Sequence, residues 1–469
     1  MFDIMKKIFA FMIMLAVLLS PLSTYAATAP EVGCEAAIAI DLDSGAVLFE
    51  KDADKKIFPA STTKILTAII IIENRGLSEN VTVGQEIRQG GITDKSSLMG
   101  LQKGDVLTVE TLLYGMMLVS GNDAAATLAV STAGSIEDFS AMMNEKAIDL
   151  GMSSSHFITP HGLHKDDHYT TARDMAILTR YAMKNETFRQ IVSTSSYTIY
   201  KTDSSGKEKT ETIRNTNMLI QPYDKAGNTN PYYYDGTTGI KTGLTPNAGG
   251  CIVASAEREG RSVAALIFGD NSDNNTARWR YAASMLDYAI TGFSNYDVYS
   301  LTKDLTADLE VRHASLSDPG GGVLKCELRP TDNELITISK DEGDINNLRI
   351  VPTFNKGICA PLKQGNVVGE AEVFLGETKI YSGPLYASRN VVEEGFTSED
   401  DDLSIIDGPV SIIDKVEVDK IDLSYDEKQN TKMLWWLAIP AAILIYLIIR
   451  FFTIKNSLYR KHIPQSSRR

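Results

Sequence analysis

Residues Phe58-Pro59-Ala60-Ser61-Thr62-Thr63-Lys64 lead directly into Ile65-Leu66-Thr67-Ala68-Ile69-Ile70-Ile71-Ile72. A serine and a lysine three apart on a helix share one face, a single turn from each other. The segment 61–74 is apolar almost all round. Periodicity alone does not separate a buried helix from a buried strand, but its length favours the helix. Among so many isoleucines the charged form of the lysine is disfavoured. A neutral amine can accept the serine proton, which makes the hydroxyl a usable nucleophile. The spacing by itself says little, since ordinary composition supplies about one S-x-x-K in a chain this long. Ser204-Ser205-Gly206-Lys207 is a second match in a polar stretch without apolar support, and it reads as chance.

Two further clusters lie downstream. Ser120-Gly121-Asn122 sits between two apolar helical segments. Such a loop can present a hydroxyl for proton shuttling and an amide for gripping a peptide bond, although an ordinary capped helix connection has the same composition. Ser272-Asp273-Asn274 fits the same S-x-N pattern, and capping of the helix after it explains it. Lys241-Thr242-Gly243 precedes an apolar strand. It puts a cation and a hydroxyl at a strand edge, with a glycine that permits close approach.

Around these clusters the chain reads as mixed structure. Short apolar stretches at 36–41 and 46–50 are joined by Asp43-Ser44-Gly45, a hairpin signal. Helical patterns follow at 109–119, 124–131, 136–150 and 171–183. A second hairpin at 251–256 and 262–268 precedes an amphipathic helix at 277–290. Strands at both ends with helices between them predict an α+β domain whose terminal segments share one sheet. From about residue 296 the texture changes to short β-rich runs broken by Gly, Pro and Asp, which predicts a small all-β module of about 95 residues.

The 469 residues leave room for about two to four domains. Hydrophobic residues make up 43% and charged residues 23%, which excludes a mostly disordered or fibrous chain. A net charge of −14 argues against nucleic acid as a partner. Four cysteines exclude a disulfide-built scaffold.

The charge is unevenly placed. Residues 391–430 hold 13 acids and 3 bases and read as a solvated stalk, while 450–469 hold 6 bases and no acid. At the N-terminus, Lys6 and Lys7 precede a 12-residue apolar run. A bilayer needs about 20 residues, so the run reads as a secretory signal cleaved after Ala26. A second apolar run, 433–449, extends past Arg450 to 454 behind Trp435 and Trp436. With the basic tail after it, this predicts a membrane helix whose C-terminus is cytoplasmic. The expected order is a signal peptide at 1–26, a catalytic domain at 27–294, a β-sandwich at 295–390 and an acidic stalk at 391–431. A transmembrane helix at 432–454 and a basic tail at 455–469 complete it. The body is thus expected to be exported and anchored to the cell membrane.

The order S-x-x-K, S-x-N, K-T-G resembles the signature shared by class A β-lactamases and penicillin-binding proteins. Neighbouring residues narrow the likeness to the serine-type D-alanyl-D-alanine carboxypeptidases, the low-molecular-mass penicillin-binding proteins. They are Phe58-Pro59-Ala60, Asn122-Asp123-Ala124-Ala125, Pro160-His161-Gly162-Leu163, Thr171-Ala172-Arg173-Asp174-Met175-Ala176, Asn215-Thr216-Asn217, and Gly239-Ile240-Lys241-Thr242-Gly243-Leu244-Thr245 followed by Ala248-Gly249. Gly365-Asn366-Val367-Val368-Gly369 resembles that family's C-terminal β-sandwich.

The resemblance implies a penicillin-binding transpeptidase/β-lactamase-like α+β domain, an antiparallel sheet with helices, followed by the β module. It implies that Ser61 attacks the penultimate D-alanine of a peptidoglycan stem peptide, Lys64 takes its proton, and Ser120 relays a proton to the leaving D-alanine. Asn122 would hold the peptide, and Lys241, Thr242 and Gly243 would receive its terminal carboxylate. The backbone N–H groups of Ser61 and Leu244 would form the oxyanion hole. β-Lactams would be covalent inhibitors, and no cofactor is implied.

Four of six histidines fall within 156–168, but without an H-E-x-x-H pattern this reads as a loop and no metal site is expected. No G-x-S-x-G elbow is present, which argues against an α/β-hydrolase. Cys34 and Cys251 read as buried small hydrophobes, and spacing leaves open whether Cys326 and Cys359 pair. A β-lactamase is the nearest rival, yet Glu211 and Asn215, the E-x-x-x-N pair available, lie far past Ser120. A transpeptidase shares the acyl-enzyme and differs only in acceptor. A non-catalytic wall sensor is disfavoured because all catalytic positions are filled.

Overall fold

The computed structural model describes residues 28–203 and 205–393. The chain enters through the hairpin β1 (Ala36–Asp41) and β2 (Val47–Lys51). Asp41 closes its turn by accepting hydrogen bonds from the N–H groups of Asp43 and Ser44 at 3.1 and 2.8 Å. A single 3-10 turn, Ala60–Thr63, leads into α1 (Lys64–Asn74). Short strands β3 (Asn80–Thr82) and β4 (Val106–Thr108) precede α2 (Val109–Leu118), α3 (Asn122–Ala133), α4 (Ile136–Asp149), α5 (Ala172–Met183) and α6 (Glu186–Ser193). Thr108, Ser135, Thr171 and Asn185 cap four of these helices, each side chain accepting a first-turn N–H. The hairpin β5 (Ser196–Thr202) and β6 (Glu208–Arg214) comes next. Strands β7 (Thr237–Thr245), β8 (Gly249–Arg258) and β9 (Arg261–Asp270) with α7 (Ala277–Thr291) complete the α+β part.

The five-stranded antiparallel sheet has the order β2-β1-β9-β8-β7, so the terminal segments do share one sheet. Both faces are covered. Ile38, Val253, Leu266 and Phe268 pack into the layer of α1–α6, whereas Ala37, Ala39, Ala265 and Ile267 pack against α7. Successive strand side chains point to opposite faces, so a doubly covered sheet needs apolar residues at both parities. That is why β1, β8 and β9 read as unbroken apolar runs. A second sheet, β3-β4-β5-β6, was not anticipated from sequence. Its hairpin exposes most of its residues and buries only Ile199 on β5 and Ile213 on β6, so no apolar alternation marks it. Lys207 of the decoy pair falls at the tip of this hairpin, between Thr202 and Glu208.

The β module begins at β10 (Phe293–Asp297), followed by the short α8 (Val298–Thr302). Strands β11 (Thr306–Glu310), β12 (Val323–Leu328), β13 (Leu335–Ser339), β14 (Leu348–Phe354), β15 (Val367–Leu375) and β16 (Thr378–Ala387) complete it. Five strands form one sheet in the order β11-β12-β16-β15-β14, and β10 pairs with β13. Leu324, Cys326, Val368, Val373 and Leu385 fill its core. Cys326 is buried and Cys359 exposed, and both are free thiols.

One part of the expected architecture is corrected. Among the described residues no helix is long and apolar enough to cross a membrane. The longest, α7, has 15 residues and spans about 22 Å, short of the ~30 Å hydrocarbon layer. The described residues therefore form an α+β domain with a β module, and the transmembrane helix, membrane partner and anchored location expected from sequence find no support among them. The segment 432–454 on which that expectation rested lies outside the described residues, as do the signal, stalk and tail segments.

Candidate active site

The site is assembled where the 3-10 turn meets β7 and the α2–α3 junction. Thr62 Oγ1 donates to the Pro59 carbonyl at 2.7 Å and Thr63 Oγ1 to the Ala60 carbonyl at 2.8 Å. These bonds hold a tight turn in which Ala60 adopts φ +47°. Gly162 makes the turn possible from outside. It has φ +79°, and a Cβ there would lie 1.8 Å from the Ala60 carbonyl oxygen. His168 braces the same turn: its Nδ1 accepts from the Ile158 N–H at 3.0 Å, so Nε2 carries the proton toward Thr63 Oγ1 at 2.9 Å. Burial, with the neighbouring His156 and His164, pushes its pKa down to about 3, so the ring is neutral.

Lys64 follows at the first position of α1 and is fully buried. Its Nζ lies 3.0 Å from Ser61 Oγ and donates to Asn122 Oδ1 at 2.6 Å and to the His161 carbonyl at 2.8 Å. Burial, and then the charge of Lys241, hold its pKa well below the ordinary lysine value. A neutral amine has two N–H groups and one lone pair. The two carbonyl oxygens take both hydrogens, which leaves the lone pair directed at the Ser61 hydroxyl. His161 is itself buried and held neutral by burial and by Lys64.

Ser120 ends the turn after α2 with φ +61°, a left-handed conformation rare for serine. Its Oγ is buried and has no hydrogen-bond partner among the described residues. Such strain persists only where the surroundings over-determine it. Here the surroundings are Asn122 N donating to the Ser97 carbonyl and Thr216 N donating to the Leu118 carbonyl, both at 2.9 Å. Asp123 ties down the facing loop by accepting from the N–H groups of Met99, Gly100 and Leu101 at 2.8–2.9 Å.

β7 forms the opposite wall. A Cβ on Gly243 would sit 3.1 Å from Ser61 N and 3.2 Å from the Pro59 carbonyl, so glycine lets the strand lie close against the Ser61 turn where a side chain would crowd it. Lys241 is buried, its Nζ donating to the Thr242 carbonyl at 3.0 Å, and burial together with Arg278 lowers its pKa to about 7. Thr242 Oγ1 lies 3.2 Å from Thr216 Oγ1.

The structure thus brings Ser61, Lys64, Asn122 and Gly243 together, with Lys241 and Thr242 on the same strand as Gly243 and Ser120 in the turn that leads to Asn122. It adds Arg278, which sequence reasoning missed. This largely buried guanidinium donates through Nη1 to the Gly243 carbonyl at 3.3 Å, and burial lowers its pKa. Its signal in the sequence was a cation in the first turn of a helix, where the dipole disfavours positive charge. Ser272, the S-x-N decoy, accepts from the Ala277 N–H at the start of α7. Among the described residues no group of three metal-binding side chains converges.

A serine beside a buried lysine, with a second hydroxyl and a lysine-bearing strand edge close by, has the chemistry of an active-site-serine acyl-transfer enzyme. The family profile for D-alanyl-D-alanine carboxypeptidase matches residues 23–272, and that for the penicillin-binding protein 5 C-terminal domain matches 320–393. The chain belongs to the D-alanyl-D-alanine carboxypeptidase family. It is 29% identical to D-alanyl-D-alanine carboxypeptidase DacF of Bacillus subtilis over 77% of this chain and 87% of that protein. It is 32% identical to DacC of Escherichia coli over 78% and 86%. The crystal structure of DacD from Francisella tularensis superposes with a TM-score of 0.63 at 25% identity, covering 81% of this chain and 98% of that one. The protein is a serine-type D-Ala-D-Ala carboxypeptidase acting on peptidoglycan stem peptides.

Proposed function

We propose that Ser61 is the nucleophile and Lys64 its general base. The observation that carries this is the Lys64 amine, with both hydrogens committed to Asn122 and His161 and its lone pair at Ser61. Ser61 Oγ attacks the carbonyl carbon of the penultimate D-alanine while its proton passes to Lys64 Nζ. The tetrahedral oxyanion forms between the N–H groups of Ser61 and Leu244, which act as preorganised donors. Collapse breaks the peptide bond, and Ser120 relays the proton from Lys64 to the departing amine, which leaves Lys64 neutral again. Water then attacks the acyl-enzyme, Lys64 takes its proton and passes it to Ser61 Oγ as the ester bond breaks, and the serine is restored.

Asn122 holds the peptide backbone, and Thr242 and Lys241, backed by Arg278, hold the terminal carboxylate. Gly243 keeps that strand close. A β-lactam carries a carboxylate at the equivalent place and acylates the same serine, its ring opening in place of the peptide bond. The chemistry belongs to residues 27–294, and residues 295–390 form the accompanying β module.

The test is incubation with a pentapeptide ending in D-Ala-D-Ala, followed by mass spectrometry. Loss of one D-alanine is expected from the wild type, with neither turnover nor a penicillin adduct from Ser61→Ala. A cross-linked product in place of the tetrapeptide, or an adduct persisting in Ser61→Ala, overturns the reading.

A further inference from the structure

The β5–β6 hairpin has two faces, and one of them is packed. Register pairs Tyr197 with Ile213, and Ile199 follows on the same face. Both isoleucines are buried, and Tyr197 stacks on Tyr114. The other parity points outward. It pairs Thr198 with Thr212, Tyr200 with Thr210 and Ser196 with Arg214. Tyr200 is 65% exposed, and the Thr198 and Thr212 hydroxyls meet at 3.2 Å. Arg214 is the one charge among these six, and its guanidinium is engaged. Nη1 donates to the Asp224 carbonyl at 3.2 Å, and Nη2 to the Tyr223 carbonyl and to Gln221 Oε1, both at 2.9 Å. These bonds seat the loop 221–230 at the end of the outward face. The loop is braced from within. Asn230 Nδ2 donates to the Met218 and Gln221 carbonyls, and Asp224 accepts from the Ala226 and Asn228 N–H groups. It presents Tyr223, 58% exposed.

Two exposed phenol rings with a row of hydroxyls between them suit an uncharged, polyhydroxylated ring. The aromatic faces cover its C–H surface, while threonine hydroxyls donate to and accept from its own hydroxyls and amides. An anionic backbone would need cations, and the arginine here is already engaged. The face is also continuous with the catalytic site, since β6 leads into Asn215 and then Thr216, which meets Thr242. Thr212 is four residues from Thr216 along the chain, no more than about 14 Å away. The four residues that precede the terminal D-alanine of a stem pentapeptide span about the same length when extended. The sugar end of the stem therefore reaches the hairpin. We propose that the outward face of the β5–β6 hairpin, with Tyr223 at its end, binds the glycan strand of N-acetylated amino sugars to which the stem peptide is joined. The inference rests on the carboxypeptidase reading above and adds a contact to the polymer that carries the peptide.

Two substrates test it, the free pentapeptide ending in D-Ala-D-Ala and the same pentapeptide carried on a soluble tetrasaccharide of that glycan. The wild type is expected to favour the glycan-linked form in kcat/KM by roughly three- to tenfold, the scale of exposed aromatic contacts. Tyr200→Ala and Tyr223→Ala should each shrink that preference, and the double variant should abolish it. Cleavage of the free pentapeptide should stay unchanged in all three. Tyr200→Trp should keep the preference, since the indole offers a stacking face of its own. High salt should leave it in place, because no ion pair carries the contact. A wild type that treats both substrates alike, or a double variant that keeps the preference, overturns the site. Failure of the wild type to cleave either substrate overturns the carboxypeptidase reading instead.

Discussion

At the scale of the residue, two lysines without carboxylate partners are buried in one site, and their pKa values are separated by their surroundings. Lys64, held well below the ordinary value, must be neutral to act as base. Lys241, at about 7 in the free enzyme, must be charged to pair with a carboxylate. The profile of kcat/KM, which reports free enzyme, should therefore rise on the acid side as Lys64 loses its proton and fall above pH 7 as Lys241 loses its own. In kcat the alkaline fall should move upward, because a bound carboxylate stabilises the charged lysine. Lys241→Met should remove the alkaline limb and shift the acid limb upward, since a neighbouring positive charge no longer depresses Lys64.

The same burial has a consequence for stability. A lysine whose folded pKa lies below its unfolded one costs stability, fully at and below the folded value and less as pH rises toward the unfolded one. Lys241→Met should therefore stabilise the fold at pH 7, by on the order of a few kcal/mol, while activity falls. A lower melting temperature for this variant at pH 7 would contradict the assignment.

At the scale of the element, the nucleophile's turn depends on a glycine from a distant loop. Gly162→Ala places a methyl 1.8 Å from the Ala60 carbonyl at φ +79°, and backbone must move. It should cost about 2–4 kcal/mol in chemical denaturation and slow acylation by penicillin. Gly91→Ala is the control. Its φ is likewise positive at +90°, but a Cβ there meets nothing within 4 Å, so only left-handed strain of about 1–2 kcal/mol is expected. Equal effects of the two would show that crowding against Ala60 is unimportant. The elements themselves were legible to different degrees. α5 was readable because Thr171 caps an amphipathic run, whereas α6 was missed because its eight residues bury only Phe188, Ile191 and Val192.

At the scale of the whole molecule, the β module is fastened to the catalytic domain by a small polar network. Asn295 on β10 donates to Asp41 Oδ2 at 2.9 Å and accepts from Thr337 Oγ1 at 2.7 Å, while Thr337 Oγ1 also lies 2.6 Å from Ser44 Oγ. Arg261 pairs with the same Asp41 carboxylate at 2.7 Å. Burial pushes Asp41 upward, but hydrogen bonds from Arg261, the Ser44 N–H and Asn295 outweigh it and hold its pKa below the ordinary value. A depressed carboxylate contributes stability above its unfolded pKa of about 3.9 and loses it as pH falls through the folded one. Asn295→Ala should cost about 1–2 kcal/mol at pH 7, move acid unfolding to higher pH, and leave kcat unchanged. A loss of kcat in a fully folded variant would instead mean that the module tunes the active site.

The sequence by itself determined the family and the class of activity. Ser61 and Lys64 are close in the chain, and one helical turn suffices to juxtapose them, so local geometry made that pair readable. The apolar runs of β1, β8 and β9 likewise carried the central sheet, because covering on both faces removes alternation. Only the tertiary structure decided what lies across long sequence separations. It brought Gly162 against Ala60 and Arg278 beside Lys241. It placed a neutral His168 under Thr63. Each of those residues acts through a contact whose partner lies tens to more than a hundred positions away, and no periodicity within a single segment encodes such a meeting.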